Sequence, residues 1–339
     1  MHPGVGGAGM IIDVHTHYFP EKYLDLVERE GSAYGVELTR DAGGEGEREL
    51  RLQGLLHPPL RPFFDVEVRL RDMEAMGVDV QVIHHSSRPN VLFADPGLAG
   101  ELCRESNEAY ADLVRARPGK FVGLGVLPLQ DPALAARELE RVRAMGLHGV
   151  MLPSNVKGEH LGAKDFYPLY ETLNAHGMPV FVHPIAPVGF EKMRAYRLWN
   201  GVGFPLETSL TVGNLLFSGT LERFPRIRWI FAHGGGTVPY LQGRWGHIYD
   251  ISEEVREHLS SPPAEGLSRL GWDSLLYHPP AISYLVGEMG AENVFLGSDY
   301  PYDMTPPDPV GDVKRADLGA AAEARVLGGN AGRLFGLTS

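Results

Sequence analysis

Residues 10–17 read Met-Ile-Ile-Asp-Val-His-Thr-His, a short apolar run that ends in two histidines. Apolar runs of four to eight residues are typical of strands that are buried on both faces of a parallel sheet. Similar runs recur along the chain. The sequence therefore predicts eight strands, at Met10–His17, Val78–Ser86, Phe121–Leu129, Gly149–Ser154, Pro179–His183, Arg228–His233, Ser274–Tyr277 and Val294–Ser298.

Longer segments with helical periodicity separate these runs, and Gly or Pro ends several of them. They predict helices at Val66–Met76, Gly97–Ala116, Pro132–Met145, Phe166–His176, Leu206–Phe224, Val238–His258, Pro280–Met289 and Leu318–Phe335. Strands that alternate with helices in this way predict an α/β fold, a TIM-like (β/α)8 barrel. A doubly wound open sheet is the structural alternative.

Two segments do not fit the alternation. Residues 21–62 follow the first predicted strand, and residues 184–205 follow the fifth. Both come after the carboxyl end of a strand, where barrels build their active sites, so we expect lids or substrate walls there. No shift in composition marks a second domain, and residues 1–339 are expected to form a single barrel domain with these two insertions.

Composition excludes several classes of protein. The 339 residues are 43% hydrophobic and 22% charged, which is typical of a globular chain, and the net charge of −12 argues against a general nucleic-acid binder. One cysteine excludes internal disulfides. No apolar run reaches the roughly 18–20 residues of a membrane span, and the first nine residues lack signal-peptide character. We therefore expect a cytoplasmic protein.

Residues that commonly bind metals stand at the ends of four predicted strands. His15 and His17 lie two apart, so they face the same side of a strand, and His183, His233 and Asp299 end the fifth, sixth and eighth. Each alone could be a core histidine or a helix cap. Together, His15, His17, His183 and Asp299 form the ligand set that zinc or a similar divalent ion prefers, with room for a catalytic water.

Several longer strings resemble the amidohydrolase superfamily, in its amidohydrolase-related (amidohydrolase 2) branch. Within that branch the chain is most similar to the 2-amino-3-carboxymuconate-6-semialdehyde decarboxylase group. The resemblance covers residues 11–337. It rests on the strings at residues 12–20, 76–81, 126–131, 182–184, 232–236, 296–301 and 329–331.

The resemblance implies one divalent metal, typically zinc and in some relatives manganese, with no organic cofactor. His15, His17, His183 and Asp299 would be its ligands. His233 would activate a metal-bound water instead of binding the metal. Binuclear branches carry a lysine at the end of the fourth strand, whereas here Lys157 lies several residues beyond that strand, which favours a single metal.

The resemblance also implies how substrate binds. Arg61 and Arg244 match two arginines that hold a substrate carboxylate, the second reaching in from the neighbouring subunit of a homodimer. Tyr196 takes the place of a family tryptophan, with Trp199 nearby. We therefore expect a small anionic substrate and a decarboxylase of carboxylated unsaturated or aromatic acids. The alternatives are a hydrolase or hydratase of a lactone, ester, amide or enoic acid, or a barrel that has lost activity and serves as a scaffold.

Three other residues have two interpretations each. His84 and His85 stand at the end of the second predicted strand and either line the pocket or are ordinary, partly exposed histidines. Asp13 either supports the metal ligands from behind or caps a neighbouring loop.

Overall fold

The computed structural model describes residues 9–40, 48–52, 55–56, 61–85 and 90–337. Residues 1–8, Ser86 of the second predicted strand and parts of the first insertion lie outside the described residues.

Eight parallel strands form the central sheet, and each pairs with the next along the chain. The eighth strand returns to the first: Thr16 bridges Tyr300, and the His17 amide donates to the Tyr300 carbonyl at 2.7 Å. The TIM-like barrel is confirmed, and the open sheet is wrong. The strands are β1 Ile12–His17, β2 Val80–His84, β3 Phe121–Gly125, β4 Gly149–Pro153, β5 Pro179–His183, β6 Arg228–Phe231, β7 Gly271–Asp273 and β8 Val294–Phe295.

Helices surround the barrel. Those of six or more residues are α1 Glu21–Glu30, α2 Val66–Met76, α3 Pro96–Ala116, α4 Pro132–Ala144, α5 Tyr167–His176, α6 Phe204–Phe217, α7 Val238–Ile251, α8 Pro279–Met289, α9 Pro309–Arg315 and α10 Asn330–Phe335. The carboxylates of Asp65, Asp95 and Asp131 accept main-chain N–H groups at the starts of α2, α3 and α4, and so fix where these helices begin. Among the described residues, no helix combines the length and apolar character that crossing a membrane requires.

Two predicted helices are too long. The segment 206–224 is interrupted at Ser218–Gly219, because Gly219 takes a left-handed φ of 75° and a short helix, Thr220–Arg223, follows. The segment 238–258 ends its first helix at Ile251, because Ser252 is extended and caps a new turn, Glu253–Arg256, with its side chain.

The seventh strand is the clear error of the sequence-based prediction. The apolar run at residues 274–277 predicts a strand there, whereas the strand is Gly271–Asp273. The chain turns directly after Asp273, whose carboxylate accepts the Leu275 amide at 3.1 Å. Leu275 is buried beyond the strand end, so its apolar character reflects packing and not strand pairing.

The first insertion contains regular structure. Helix α1 packs Tyr23, Leu24 and Val27 into the core. An antiparallel sheet follows, with strands Val36–Arg40, Arg48–Leu52 and Leu55–Leu56. In the second insertion, short helical turns and a five-residue π-helix, Trp199–Gly203, precede α6.

The strands alternate between an inner and an outer face. Inside the barrel lies an apolar cluster that includes Val80, Val82 and Phe181, while the outer faces pack against the helices in a larger cluster. His84 and His183 lie two positions after Val82 and Phe181 on the same strands. Their side chains therefore also point inward, at the carboxyl-terminal rim. The inner rows of β2 and β5 thus begin with apolar packing and end at the candidate site.

Candidate metal centre

Strand β1 contributes two histidines from an irregular stretch. Its pairing with β2 shifts register between Asp13 and Thr16, so three steps along β1 match two along β2. Such bulges re-aim side chains and are common beside active sites. His15 and His17 both emerge into the barrel mouth, fully buried, with ring centroids 5.2 Å apart.

Four residues from two strands, β1 and β5, and from the loop after β8 converge on one point. One potential ligand atom from each of His15, His17, His183 and Asp299 lies within 4.8 Å of the others. Oδ1 of Asp299 is 2.8 Å from Nε2 of His17, 3.2 Å from Nε2 of His15 and 3.8 Å from Nε2 of His183. The structure therefore brings together the four residues that the sequence predicts as ligands, in a His/Asp site for a divalent metal.

Hydrogen bonds on the far side of each ring determine which nitrogen faces this point. Nδ1 of His15 donates to Asp273 at 2.7 Å, Nδ1 of His17 to the His85 carbonyl at 3.0 Å, and Nδ1 of His183 to the Pro184 carbonyl at 2.9 Å. Since each acceptor is an oxygen, each Nδ1 carries a proton, and each Nε2 faces inward, where it can offer a lone pair to a cation.

The donor set fits a cation. Nε2 of His15 and Nε2 of His183 are buried and have no hydrogen-bond partner among the described residues. Lone pairs that point at a carboxylate repel it unless a positive charge lies between them. Imidazole nitrogens with one carboxylate suit zinc and similar first-row ions, so these residues could hold such an ion.

The ionisable side chains of the site shift one another's pKa values. Burial alone would raise the pKa of Asp299, but the nearby His15 outweighs it and holds that pKa well below its usual range. Burial would likewise lower the pKa of His15, but the carboxylates of Asp299 and Asp273 outweigh it and raise the value to about 10. A proton on His15 therefore competes with a cation for this position.

Asp273, at the end of β7, is a site residue that the sequence analysis missed. It is fully buried, and its carboxylate accepts Nδ1 of His15 and the Gly234 amide. The misplaced seventh strand concealed it, because Asp273 then preceded a strand instead of ending one. With the strand placed correctly, Asp273 would have been recognised in the sequence as an aspartate at a strand end, as Asp299 was.

His233 lies beside the cluster without joining it. Its ring centroid is 5.2 Å from that of His183 and 5.4 Å from that of His15. Its Nδ1 is buried and has no partner among the described residues. Burial, and then the neighbouring His183 and His15, lower the pKa of His233 to about 3, so the imidazole is neutral at pH 7.

A tight turn carries His233. His233 has a left-handed φ of 57°, and Gly234, Gly235 and Gly236 follow at 60°, 75° and 65°. A Cβ at Gly235 would lie 2.3 Å from the Trp272 ring, and one at Gly236 would lie 2.0 Å from the Pro205 carbonyl oxygen. Glycine is required at both positions by close approach as well as by conformation.

His84 and His85 are both buried, so the interpretation as partly exposed histidines is wrong. The His84 ring stacks on Phe181 with centroids 4.6 Å apart and meets the His17 ring edge-on at 4.8 Å. His85 accepts Nδ1 of His17 through its carbonyl. Asp13 accepts the His15 amide at 3.1 Å and the Ser298 hydroxyl at 2.5 Å, so it supports the ligands from behind.

A buried guanidinium also supports the site. Arg69, on α2, is fully buried; it donates to the carbonyls of His17 and Pro62 and lies 4.7 Å from the centre of the Tyr300 ring. Arg69 thereby contacts the main chain of the candidate ligand His17. It also contacts Tyr300, the residue that follows the candidate ligand Asp299. Its position in a polar helix gave no sign of this contact in the sequence.

The residues expected to bind substrate lie farther out. Arg61 is half-exposed and pairs with Asp65 at 3.2 Å. Arg244 is exposed on α7, and no hydrogen bond or ion pair holds its side chain among the described residues. Tyr196 is 93% exposed. Trp199 packs against Phe204, whose ring stacks on that of His233 at 6.2 Å.

Lys157 is exposed in the turn between two short strands, Asn155–Val156 and Glu159–His160. This placement agrees with a single metal.

A barrel whose strand ends gather three imidazoles and one carboxylate defines a class of metal-dependent barrel enzymes. The family model described as Amidohydrolase matches residues 12–337. The chain belongs to the amidohydrolase family. It is 32% identical over 335 residues to the 2-amino-3-carboxymuconate-6-semialdehyde decarboxylase of Dictyostelium discoideum, covering 96% of this chain and 91% of that protein.

Solved structures show the same architecture. The 5-carboxyvanillate decarboxylase LigW from Sphingomonas paucimobilis superposes with a TM-score of 0.83 at 27% identity, covering 97% of this chain and 99% of that one. The 5-carboxyvanillate decarboxylase from Novosphingobium aromaticivorans, solved with manganese, has a TM-score of 0.81 at 23% identity, covering 98% and 97%. That second likeness supports the fold alone.

Proposed function

We propose that this chain is a metal-dependent decarboxylase that acts on a small carboxylated unsaturated or aromatic acid. The observation that carries the proposal is the convergence of three Nε2 atoms on Oδ1 of Asp299, with each Nδ1 held by an oxygen. Similarity to decarboxylases along nearly the whole chain supports it.

In this proposal His15, His17, His183 and Asp299 hold one divalent cation. Zinc is our first expectation, with manganese as the alternative. When bound, the cation supplies Lewis acidity that favours an anionic substrate and developing negative charge. Asp273, His85 and Pro184 hold the three imidazoles in the required orientation.

His233 moves the proton. Its neutral imidazole can accept a proton from water and deliver it to the carbon that carries the carboxylate. The bond from that carbon to the carboxylate then breaks, and its electron pair restores the unsaturated system as CO2 leaves. One proton is taken up for each CO2 released.

Arg61 and Arg244 bind the substrate carboxylate in this proposal, and Tyr196 and Trp199 form part of the pocket wall. Support comes from the resemblance and, for Trp199, from its packing on Phe204 beside His233. Arg244 is exposed. That exposure agrees with a homodimer in which this residue completes the site of a second copy.

The test is CO2 release by the metal-loaded protein from carboxylated muconate semialdehydes and hydroxybenzoates. We expect turnover on at least one of these acids and none after chelation. Acid release from a lactone panel without CO2 would instead show a hydrolase, and water addition to an enoic acid would show a hydratase. No turnover on any panel by metal-loaded, folded protein would favour a scaffold.

A further inference from the structure

We propose that Asp273 is a positioning residue that decides which nitrogen of His15 carries the proton, and hence whether His15 can bind the metal. The inference rests on the proposed function, since that function assigns His15 to the metal. It concerns a residue that would touch neither metal nor substrate.

The two oxygens of Asp273 have different partners. Oδ2 accepts Nδ1 of His15 at 2.7 Å. Oδ1 accepts two main-chain amides, those of Gly234 at 2.8 Å and Leu275 at 3.1 Å. Asp273 and His15 are both fully buried, so bulk water does not compete for these bonds. Every donor in the set is therefore satisfied by this one carboxylate.

The contact between Asp273 and His15 depends on a glycine in the chain that follows β8. A Cβ at Gly297 would lie 2.8 Å from the Cβ of Asp273 and 3.1 Å from the Cβ of His15. Side-chain carbons do not approach each other that closely. The two side chains thus share a space that only a glycine at position 297 leaves open, which indicates that the fold enforces their approach.

An asparagine at position 273 would reverse the proton arrangement. Asparagine has one oxygen and one NH2 group. The two main-chain amides cannot change from donor to acceptor, whereas an imidazole can move its proton. The asparagine oxygen would therefore face Gly234 and Leu275, and its NH2 would donate to Nδ1 of His15. Nε2 would then carry the proton and could not bind a metal.

An alanine at position 273 has the opposite consequence. It removes the acceptor but imposes no donor, so His15 can still keep its proton on Nδ1 and offer Nε2 to the metal. The proposal thus predicts that the isosteric change, Asp273→Asn, damages metal binding more than the truncation, Asp273→Ala. A purely structural role predicts the reverse order, because asparagine keeps the volume and the main-chain hydrogen bonds.

The first experiment measures Zn²⁺ affinity by competition with a chromogenic chelator. We expect Asp273→Asn to bind at least about 100-fold more weakly than the wild-type protein, and Asp273→Ala about 10-fold more weakly. Asp13→Asn is the matched control, since Asp13 is also a buried carboxylate but contacts the amide of His15 and not its ring. It should bind more tightly than Asp273→Asn. An Asn variant that binds as tightly as the Ala variant would overturn the proposal.

The second experiment observes the proton directly and needs neither metal nor turnover. In metal-free protein labelled with ¹⁵N-histidine, the His15 signal is assigned with a His15→Gln variant. Nδ1 of His15 should carry a proton in the wild-type protein and lack one in Asp273→Asn. A protonated Nδ1 in folded Asp273→Asn would refute the inference, even if Asp273→Ala fails to fold. These results hold or fail independently of whether any acid is decarboxylated.

Discussion

Nε2 of His17 lies 2.8 Å from Oδ1 of Asp299, although 282 positions separate the two residues in the chain. Nδ1 of His17 donates to the His85 carbonyl, and burial lowers the pKa of His17 to about 4, so at pH 7 the neutral ring presents the lone pair of Nε2 to the carboxylate. Two electron-rich atoms at this distance repel each other unless a positive charge, carried by a proton or a metal ion, lies between them. The relationship explains why the metal should affect stability as well as activity.

Removing the metal should abolish turnover and lower the free energy of unfolding. At a free metal concentration of 100 times Kd, binding to the folded state alone contributes about 2.7 kcal/mol. Thermal unfolding with and without chelator measures this effect, and added Zn²⁺ or Mn²⁺ should restore both properties. His183→Ala should lose the metal, whereas His176→Ala, at an exposed position at the end of α5, should retain it. A His183→Ala protein with full metal content would contradict the assigned ligand set.

His233→Ala should keep the metal and lose turnover. Loss of a group that transfers protons lowers kcat by about 10²- to 10⁴-fold. Metal content and kcat measured on the same preparation separate the two effects. A variant near the wild-type rate would remove His233 from the mechanism.

Arg61→Ala should raise KM for an anionic substrate, since Arg61 is proposed to bind its carboxylate. Arg226→Ala is the control, because Arg226 is an equally charged, exposed residue just before the amino end of β6, on the face of the barrel opposite the site. Initial rates over a range of substrate concentrations measure both variants. Equal KM values for Arg61→Ala and the wild-type protein would place Arg61 outside the pocket.

Gly235→Ala should destabilise the protein by at least about 2 kcal/mol, because the new Cβ would overlap the Trp272 ring at a left-handed φ of 75°. Gly287→Ala is the matched change. Gly287 lies within α8 with open space around its Cβ position, so alanine should stabilise by about 0.5–1 kcal/mol. Urea denaturation of both variants tests the pair, and a stable Gly235→Ala protein would mean that the turn can move.

Stability should fall in acid partly through Glu222. Burial alone would raise the pKa of this carboxyl, but hydrogen bonds from Ser260 and Ser261 outweigh it and lower the pKa below its usual value of 4.5. A carboxyl with a lowered folded-state pKa stabilises above its unfolded pKa, and that contribution is lost as the pH falls through the folded value. Glu222→Gln should therefore be less stable than the wild-type protein at pH 7, with a difference that shrinks towards pH 3. A difference independent of pH would exclude this explanation.

The amino-acid sequence was sufficient for the barrel and for four of the residues at its centre. Short apolar runs identify strands buried on both faces, and all parallel strands of a barrel place their carboxyl ends at one rim. Histidines and an aspartate at those ends, such as His183 and Asp299, must therefore meet. This deduction requires only the direction of the strands and the alternation of side chains between the two faces of a strand.

Tertiary structure alone decided which groups hold those ligands in place. Asp273 reaches His15 across 258 positions of sequence, and β7 is too short and too polar to recognise from its residues. The burial of His84 depends on stacking against Phe181 of another strand. Such contacts depend on side-chain packing between distant segments, and no local pattern in the chain encodes them. For the same reason, sequence patterns identified ligand types, while the proton arrangement on each ring became visible only when its hydrogen-bond acceptor was known.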